Sequence, residues 1–490
     1  MNKKVFFLLC FLIIALSAGL RFARFFDRWG LAYDQAHDAV VARYALTSGQ
    51  IPLLGPFSSA GPFQTSGVWY WFIMVGTQFY PAAVITPWVI LTTLYILFVL
   101  GMIILGTLII NRRFGILVGL LTAVSTAQIA QSVSLTNQSP VALTSLCALL
   151  GFTLYAKHRK SRYLFLLGFF VSLSASIHLQ GVSLGILVLL SLFLFRVSKP
   201  NDFIALFLGL LLPFIPIAIF DVSHNFINSK NMLHYVFVDQ YRISLDVLGR
   251  RWKTFITIFI PTEWAHIIGG RFFVGGMLLV GSAIAPFFLP LEKVSKKIIL
   301  GILVSTFCMF SILRYTRTPL FSSYLVFLHP FILLLSSLFV YLMLQKIKIF
   351  GIISLIIIVG LSFQKSIEEI TYGYNLSDQR ARYWVSVIWA KNPTDLFSVY
   401  DFHHETIDAS LMLSLYLDSH SKIGNNGRKL AVLSYPPQAT PSGELVLHDG
   451  SFSLYDVSAS SSATLERLGW ARVNPEDIYD ATEHWSDPKK

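Results

Sequence analysis

The chain contains 490 residues, of which 54% are hydrophobic, 14% aromatic and only 13% charged. Soluble domains carry about 25% charged residues, so this composition excludes an ordinary soluble enzyme and a disordered or fibrous protein. The net charge of +12 is unevenly divided: residues 1–363 hold 27 Lys or Arg and 9 Asp or Glu, whereas residues 364–490 hold 11 and 17. A basic membrane part joined to an acidic tail explains the high pI, so no nucleic-acid partner is expected.

Eleven apolar runs approach the length of roughly 20 residues that a helix needs to cross a bilayer. They are residues 5–21, 83–110, 116–134, 140–156, 162–178, 180–196, 203–220, 271–290, 297–313, 323–344 and 349–364. We therefore predict an all-α polytopic membrane protein of about eleven transmembrane helices. The first run is also compatible with a signal peptide, but it ends without an A-x-A site, which favours an uncleaved span.

The basic residues predict the orientation. With the N-terminus in the cytoplasm, 15 Lys or Arg lie in short inner connections, and the short outer loop 131–140 has none. This follows the positive-inside rule. It places the protein in the plasma membrane as a multi-pass protein whose C-terminal region is extracytoplasmic.

Two predicted outer segments, 22–82 and 221–270, are long enough to be functional. In the first, YDQAHDAVVARYALTSGQ has helical periodicity, and this helix is expected along the membrane surface. The Gly-, Pro- and Ser-rich residues 51–67 predict a flexible loop, and GVWYWFIMVGTQFY predicts a second short helix at the level of the membrane interface. We divide the chain into a transmembrane module, 1–364, and a C-terminal domain, 365–490. In the tail, KLAVLSYP, GELVLHDG and SFSLYDV alternate as strands do, which predicts a small α/β domain.

Seven acidic residues precede position 364 on the outer side, and two of them are four residues apart. Asp34 and Asp38 would share one face of the predicted helix, where like charges are unfavourable. A cation, an arginine or a proton would relieve that repulsion. Asp34 also lies where the helix would start, so a simple capping role is the alternative. Arg43, on the same helix, either pairs with Asp38 or contacts a lipid phosphate.

These residues resemble the first outer loop of GT-C glycosyltransferases. The resemblance consists of Y-D-Q-A-x-D-A-x-x-A-R at 33–43, G-x-x-P-L-L-G-P at 49–56 and G-x-W-Y-W at 67–71. SLTNQSP at 134–140 and LPFIPIAIFDVSHNFINSKNM at 212–232 are similar to weaker recurring stretches. The similarity covers about residues 1–345 and is greatest to the branch with protein O-mannosyltransferases and the lipid A aminoarabinose transferase.

The resemblance implies a GT-C-like helix bundle with two surface helices in the first outer loop. It also implies inverting transfer of a sugar from polyprenyl phosphate to an acceptor hydroxyl, with Asp34 as general base and Asp38 as the other catalytic candidate. Many such enzymes carry a second acid in the second outer loop, but 131–140 has none. Asp38 or Asp221 could replace it, or Asn137 could bind by hydrogen bonds. We assign no metal ligands and no certain cofactor, because Asp34 and Asp38 alone offer few ligands to a divalent cation. A divalent cation is kept only as an open alternative.

The leaving polyprenyl phosphate needs positive charge or hydrogen-bond donors. Arg242, Arg250 and Arg251 are candidates, although lipid headgroups could also attract them, and Arg314 could instead extend to the membrane surface. Two histidines are further candidates. His178 is a substrate-binding residue or a helix-end cap, and His224 binds substrate or pairs with Asp221.

We therefore expect a glycosyltransferase of the hexosyl or pentosyl type that modifies a lipid, surface glycan or protein of the cell envelope. The alternative is a lipid-linked sugar flippase or transporter without catalysis. Transporters place charged groups near the bilayer midplane and contain repeated halves. The predicted spans have almost no acids and no repeat, which counts against that alternative.

Overall fold

The computed structural model describes residues 1–58, 61–239, 252–314, 321–372, 376–402, 406–434 and 443–483. In this part of the chain, seven helices are long and apolar enough to cross a membrane. A bent pair, Trp252–Ile267 and Phe272–Phe288, has an angle of 97° between its halves and makes an eighth span if the two halves cross as one. The protein is a multi-pass membrane protein. The seven are Lys3–Phe22, Thr86–Ile109, Val141–His158, Pro200–Ser223, Lys293–Leu313, Ser322–Lys346 and the helix that begins at Lys348.

The other predicted spans correspond to shorter helices. Ser161–Ile177 and Leu179–Phe195 are apolar but below the length of a full span, and residues 116–134 are divided between Arg112–Ala123 and Thr126–Gln131. The N-cap Ser125, whose side chain accepts a hydrogen bond from the backbone N–H of Gln128, marks that break. The count of eleven therefore remains a prediction.

The described residues form 22 α-helices, numbered here in chain order. They are α1 (Lys3–Phe22), α2 (Phe25–Arg28), α3 (Tyr33–Ser48), α4 (Val68–Phe79), α5 (Thr86–Ile109), α6 (Arg112–Ala123), α7 (Thr126–Gln131), α8 (Val141–His158), α9 (Ser161–Ile177), α10 (Gly185–Phe195), α11 (Pro200–Leu211), α12 (Ile215–Ser223), α13 (Ile227–His234), α14 (Ile260–Ile267), α15 (Phe272–Phe288), α16 (Lys293–Leu313), α17 (His329–Lys346), α18 (Lys348–Tyr372), α19 (Leu376–Lys391), α20 (Ile407–Ser419), α21 (Ser462–Arg467) and α22 (Pro475–Glu483). Short 3₁₀ turns lie at Leu179–Leu184, Leu212–Phe214 and Ser322–Leu328, and π turns at Tyr235–Asp239 and Phe255–Phe259.

Two buried arginines hold the C-terminal end of α1 in place. Arg21 donates to Oγ of Ser17 at 2.8 Å and to the carbonyl oxygen of Ala123 at 3.2 Å. Arg28 donates to the carbonyl oxygen of Ile129 at 3.3 Å. Because these carbonyls lie at helix ends, where backbone acceptors lack partners within the helix, the arginines connect the beginning of the first outer segment to α6 and α7.

The first outer segment contains both predicted helices, α3 and α4. The helix α3 ends at Gly49, whose φ of +73° is a conformation that favours glycine. The segment predicted as a flexible loop contains two short strands that the prediction missed, because Leu54–Phe57 (β1) and Gln64–Ser66 (β2) pair as an antiparallel hairpin. The Gly and Pro residues that suggested a loop are accommodated in and around this short hairpin.

A five-stranded sheet forms the centre of the C-terminal region. Its strands are Phe397–Phe402 (β3), Arg428–Ser434 (β4), Glu444–Asp449 (β5), Phe452–Asp456 (β6) and Trp470–Arg472 (β7), in the order β5-β6-β4-β3-β7. Only β3 and β4 are parallel, and the helix α20 provides the crossover between them. The three predicted strands β4, β5 and β6 are confirmed.

Candidate active site

The helix α3 places Asp34 in its first turn. The first turn is closed by the side chain of Gln35, which accepts a hydrogen bond from the backbone N–H of Ala32 at 2.9 Å, and Asp34 is not needed as a cap. Asp34 is accessible to solvent. Partial burial, together with the carboxylates of Asp38 and Asp408, raises the pKa of Asp34, and the imidazole of His37 lowers it. A carboxylate in such a setting is a stronger base than an ordinary aspartate.

Asp38, one turn further along α3, is in a different environment. It is only 3% exposed and accepts a hydrogen bond from Nε1 of Trp69 at 2.6 Å and one from the hydroxyl of Tyr70 at 3.4 Å. The Nδ1 atom of His37 lies 3.1 Å from the same carboxylate. Among the described residues, no donor is bonded to Asp34. The arrangement makes Asp34 accessible to a substrate and makes Asp38 a link between α3 and α4.

The helix α20 of the C-terminal region lies along α3. Asp408, near its start, is close enough to raise the pKa of Asp34. Near its end, Asp418 accepts a hydrogen bond at 3.0 Å from Nε of Arg43, whose Nη1 donates to the carbonyl oxygen of Pro81 at 2.6 Å. Arg43 is buried and is therefore engaged in joining the two parts of the chain.

The helix α22 also contacts the first outer segment. The carboxylate of Glu483 accepts hydrogen bonds from the backbone N–H groups of Leu53 and Leu54 at 3.0 and 3.2 Å. The carbonyl oxygen of Thr482 accepts one from Nε2 of Gln64 at 2.8 Å. Burial raises the pKa of Glu483 to about 7, while the two backbone bonds act in the opposite direction.

The structure brings Asn137 and His178 to the same end of α9. Nδ2 of Asn137 donates to the carbonyl oxygen of Ile177 at 3.3 Å, and the ring of His178 lies 5.4 Å from that of Tyr324. The backbone N–H of His178 donates to Ser174, so this residue does end the helix. The loop that contains Asn137 also contacts the first outer segment, because the backbone N–H of Gly30 donates to the carbonyl oxygen of Val133 at 2.9 Å.

Asp221 and His224 do not pair with each other through their side chains. Asp221 is 1% exposed and accepts hydrogen bonds from the backbone N–H groups of Asn228 and Ser229, both at 3.0 Å, at the start of α13. His224 stacks on Phe220 with the ring centroids 4.0 Å apart. These contacts shape the turn between α12 and α13.

Of the predicted basic residues, Arg242, Arg250 and Arg251 lie outside the described residues. Arg314 lies at the end of α16, is 4% exposed, and its Cζ is 4.0 Å from the centre of the Trp252 ring. No group of three or more His, Cys, Asp or Glu side chains that could hold a metal ion occurs within the described ranges.

Asp408 and Glu483 were not identified as site residues from the sequence. Both lie in the tail, more than 370 positions from Asp34, and no motif links them to α3. Only Glu483 could have been found from a local pattern. At helical spacing it shares one face with Tyr479 and Thr482, and a face with those residues indicates packing against another element. The resulting geometry places an accessible carboxylate between the membrane helices and the C-terminal region.

Comparison with known proteins shows the fold. No protein-family profile matches the sequence, and no curated protein is similar to it at a significant level. Two solved structures of ArnT from Cupriavidus metallidurans, apo and bound to undecaprenyl phosphate, each superpose with a TM-score of 0.64 at 11% identity. The alignments cover 92% and 94% of this chain and 98% and 99% of ArnT. The chain has the GT-C fold.

A more distant GT-C structure agrees with this result. The oligosaccharyltransferase AglB from Archaeoglobus fulgidus, in complex with an inhibitory peptide and a dolichol-phosphate, has a TM-score of 0.51 and 11% identity, over 80% of this chain and 58% of AglB. ArnT is the lipid A aminoarabinose transferase, and both proteins belong to the GT-C superfamily. The resemblance inferred from the first outer loop is confirmed as a resemblance of fold.

Proposed function

We propose that this protein is a membrane glycosyltransferase that moves a sugar from a polyprenyl-phosphate donor to an acceptor hydroxyl. The observation that carries the proposal is the accessible Asp34 carboxylate, whose pKa is raised, on a helix held between the membrane module and the C-terminal region. The likeness to ArnT, solved with undecaprenyl phosphate, and to AglB, solved with a dolichol-phosphate, supports the class of donor.

In the proposed reaction, Asp34 accepts the proton of the acceptor hydroxyl as that oxygen attacks the anomeric carbon. The bond between this carbon and the phosphate oxygen breaks, and its electron pair leaves with the polyprenyl phosphate, so the anomeric configuration is inverted. A base must lie within hydrogen-bond reach of the proton it removes. Asp38 orients α3 through Trp69 and Tyr70, and Arg314, Arg242, Arg250 and Arg251 remain the candidates for stabilising the phosphate.

The proposed topology has eleven crossings. The bent pair and the shorter helices then count as spans, with α6 and α7 together as one of them. The N-terminus is cytoplasmic, and residues 365–490 form the domain outside the plasma membrane. The hexosyl or pentosyl sugar is accepted by a lipid, a surface glycan or a protein.

The first experiment compares the wild type with Asp34→Asn, using labelled undecaprenyl-phosphate sugars and an extract of envelope acceptors. Asn keeps the shape and removes the base, so we expect donor consumption to fall by about 10²-fold or more without loss of thermal stability. Asp38→Ala is the matched comparison. It should lower the melting temperature as well, because each buried donor left without a partner costs about 1–3 kcal/mol.

Other outcomes would change the proposal. Equal activity of Asp34→Asn and wild type would assign the base to another carboxylate. If the protein bound the donor and moved it between leaflets without consuming it, the flippase alternative would replace the transferase.

A further inference from the structure

An exposed aromatic side chain lies beside the proposed base. Tyr33, the first residue of α3, is 43% exposed, and Asp34, in the same turn, is exposed as well. His37 is partly exposed and lies four residues after Tyr33 and three after Asp34. Residues at these two spacings are neighbours on a helix surface. The three side chains therefore form one continuous patch at the start of α3, composed of an aromatic ring, an imidazole and a carboxylate.

The ring of Tyr33 packs against the imidazole of His37. The two ring centroids are 5.9 Å apart and the ring planes differ by 31°, within the roughly 4.5–7 Å at which ring pairs attract each other. Among the described residues, His37 is the only ring in contact with Tyr33. Because the side chain is supported on this side and is also exposed, the remaining ring surface is accessible to a ligand.

A buried network fixes the position of His37. Its Nδ1 atom lies 3.1 Å from Oδ1 of Asp38, and the carboxylate of Asp38 accepts hydrogen bonds from Trp69 and Tyr70 of α4. Its Nε2 atom lies 3.5 Å from Oγ1 of Thr482 on α22. These contacts order the imidazole, and through it the exposed ring, before a ligand arrives. Such preorganisation reduces the entropic cost of binding.

An accessible aromatic ring next to a carboxylate suits a sugar as ligand. One face of a sugar ring consists mainly of C–H groups and packs on an aromatic surface, whereas the hydroxyl groups need hydrogen-bond partners. An ionised carboxylate such as that of Asp34 accepts hydrogen bonds from hydroxyl groups. The patch therefore offers a stacking surface for the ring and an acceptor for one of its hydroxyls.

The position of the patch favours the sugar of the acceptor over that of the donor. His37 contacts Thr482, so the patch lies on a side of α3 that faces the C-terminal region. The polyprenyl chain of a donor is apolar and belongs with the membrane helices. An acceptor sugar is hydrophilic and can approach from the side of the C-terminal region.

We propose that a sugar ring of the acceptor stacks on Tyr33 and directs one of its hydroxyls at Asp34, with His37 as a positioning residue for the aromatic ring. The inference rests on the proposed glycosyltransferase function. The sugar belongs to a glycolipid headgroup or to a soluble glycan, because both present the same ring and hydroxyl chemistry. A Ser or Thr side chain of a protein acceptor does not need an aromatic surface.

The test measures binding of methyl glucoside, methyl mannoside and methyl galactoside to the full-length protein in lipid nanodiscs by saturation-transfer NMR. We expect at least one of them to bind, with the strongest saturation on the C–H protons of one ring face. Tyr33→Phe keeps the ring and should bind within about twofold of the wild type. Tyr33→Ala should bind about tenfold more weakly, and Tyr33→Leu, which keeps an apolar side chain without the ring, should also lose affinity.

Tyr80→Ala is the matched control. Tyr80 is 63% exposed and adjoins Pro81, whose carbonyl oxygen accepts a hydrogen bond from Arg43. Arg43 is ten positions after Tyr33 on α3, which corresponds to about 15 Å along the helix axis. Removal of this second exposed ring from the first outer segment should leave glycoside binding unchanged.

The role of His37 has its own readout. His37→Ala removes the support of the Tyr33 ring, so we expect weaker binding and saturation spread over both faces of the sugar. A structural role elsewhere in the protein would not change which face is saturated. Retention of the wild-type saturation pattern in His37→Ala would overturn the positioning role.

Competition identifies the source of the sugar. Displacement of the methyl glycoside by a glucosyl-diacylglycerol in the nanodisc supports a glycolipid acceptor, and displacement by a soluble neutral oligosaccharide supports a glycan. The proposal is overturned if no methyl glycoside binds, if Tyr33→Ala and Tyr33→Leu bind as the wild type does, if Tyr33→Phe loses as much affinity as Tyr33→Ala, or if only a Ser- or Thr-containing peptide competes.

Two checks keep the interpretations separate. The melting temperature and the undecaprenyl phosphate binding of each variant show whether the protein remains folded. Because glycoside binding requires no turnover, its failure overturns the stacking surface without affecting the donor-consumption test. Failure of donor consumption overturns the transferase while glycoside binding is still measured.

Discussion

Asp34 and Asp38 lie one helical turn apart but differ in what surrounds them. The sequence showed that both would share a face of α3, and it could not show which one is buried. The partners that bury Asp38 are Trp69 and Tyr70, and they come from a different helix about 30 positions along the chain. Which of two like residues is accessible depends on such tertiary contacts, so it is settled only when α3 and α4 are packed together.

The pH dependence of turnover should report on Asp34. A general base works only when it is ionised, so activity should fall as the pH falls through the pKa of Asp34, which is raised above the ordinary value. The carboxylate of Asp408 raises this pKa and the imidazole of His37 lowers it. Asp408→Asn should therefore move the acidic limb of the kcat profile to lower pH, and His37→Asn should move it to higher pH.

The two shifts have opposite signs, which a general loss of stability would not produce. Glu466→Gln, on α21, removes a carboxylate that is not among the groups that shift the pKa of Asp34. It should leave the acidic limb of the kcat profile unchanged. Shifts of both variants in the same direction would mean that the acidic limb belongs to another residue.

At the level of helices and strands, local sequence patterns predicted most elements. They failed where contacts between distant residues determine the secondary structure. The helices α3 and α4 have the predicted periodicity, and β4, β5 and β6 alternate as strands do. The strand β3, with five of its six residues buried, lacks that alternation because both of its faces are covered. Val399 belongs to one apolar cluster and Tyr400 to another. The hairpin β1–β2 depends on pairing between Leu54 and Ser66, which a Gly- and Pro-rich segment does not reveal.

The contact between α22 and β1 should depend on pH. Burial raises the pKa of Glu483 from 4.5 to about 7, so the folded state binds a proton that the unfolded state has already released. The stabilising effect of that proton is present at low pH and is lost as the pH rises from about 4.5 to about 7. We expect amide hydrogen exchange at Leu53 and Leu54, corrected for the intrinsic pH effect, to become faster across this window.

Glu483→Gln should abolish this dependence, since an amide does not titrate there. Glu476→Gln makes the same charge change on the same helix and keeps an acceptor for Asn425, which donates to Glu476 at 2.7 Å. It should preserve the wild-type dependence. If hydrogen exchange at Leu53 and Leu54 depended on pH equally in the wild type and in Glu483→Gln, the pH effect would not belong to Glu483.

At the level of the whole molecule, the two parts of the chain meet on α3. The position of this helix at the membrane surface stays a prediction. In the structure, Ala36, Ala39, Val40 and Val41 are all at most 3% exposed, and α20 and α22 pack against the helix. The ion pair between Arg43 and Asp418 spans 375 positions, and no sequence pattern encodes such a pairing. Composition and charge could predict a membrane module and an acidic tail, but not that the tail completes the candidate site.

The orientation of the membrane module decides whether that site is outside the cell. The distribution of positive residues predicts that the connection between α8 and α9 is cytoplasmic. Lys160→Cys should therefore react with a membrane-impermeant maleimide only after spheroplasts are permeabilised. Glu466→Cys, in the C-terminal region, should react in intact spheroplasts. The native Cys10, Cys147 and Cys308 lie within α1, α8 and α16 and are not fully exposed, so the wild type measures the background. The reverse labelling pattern would place Asp34 in the cytoplasm, where an extracytoplasmic acceptor could not reach it.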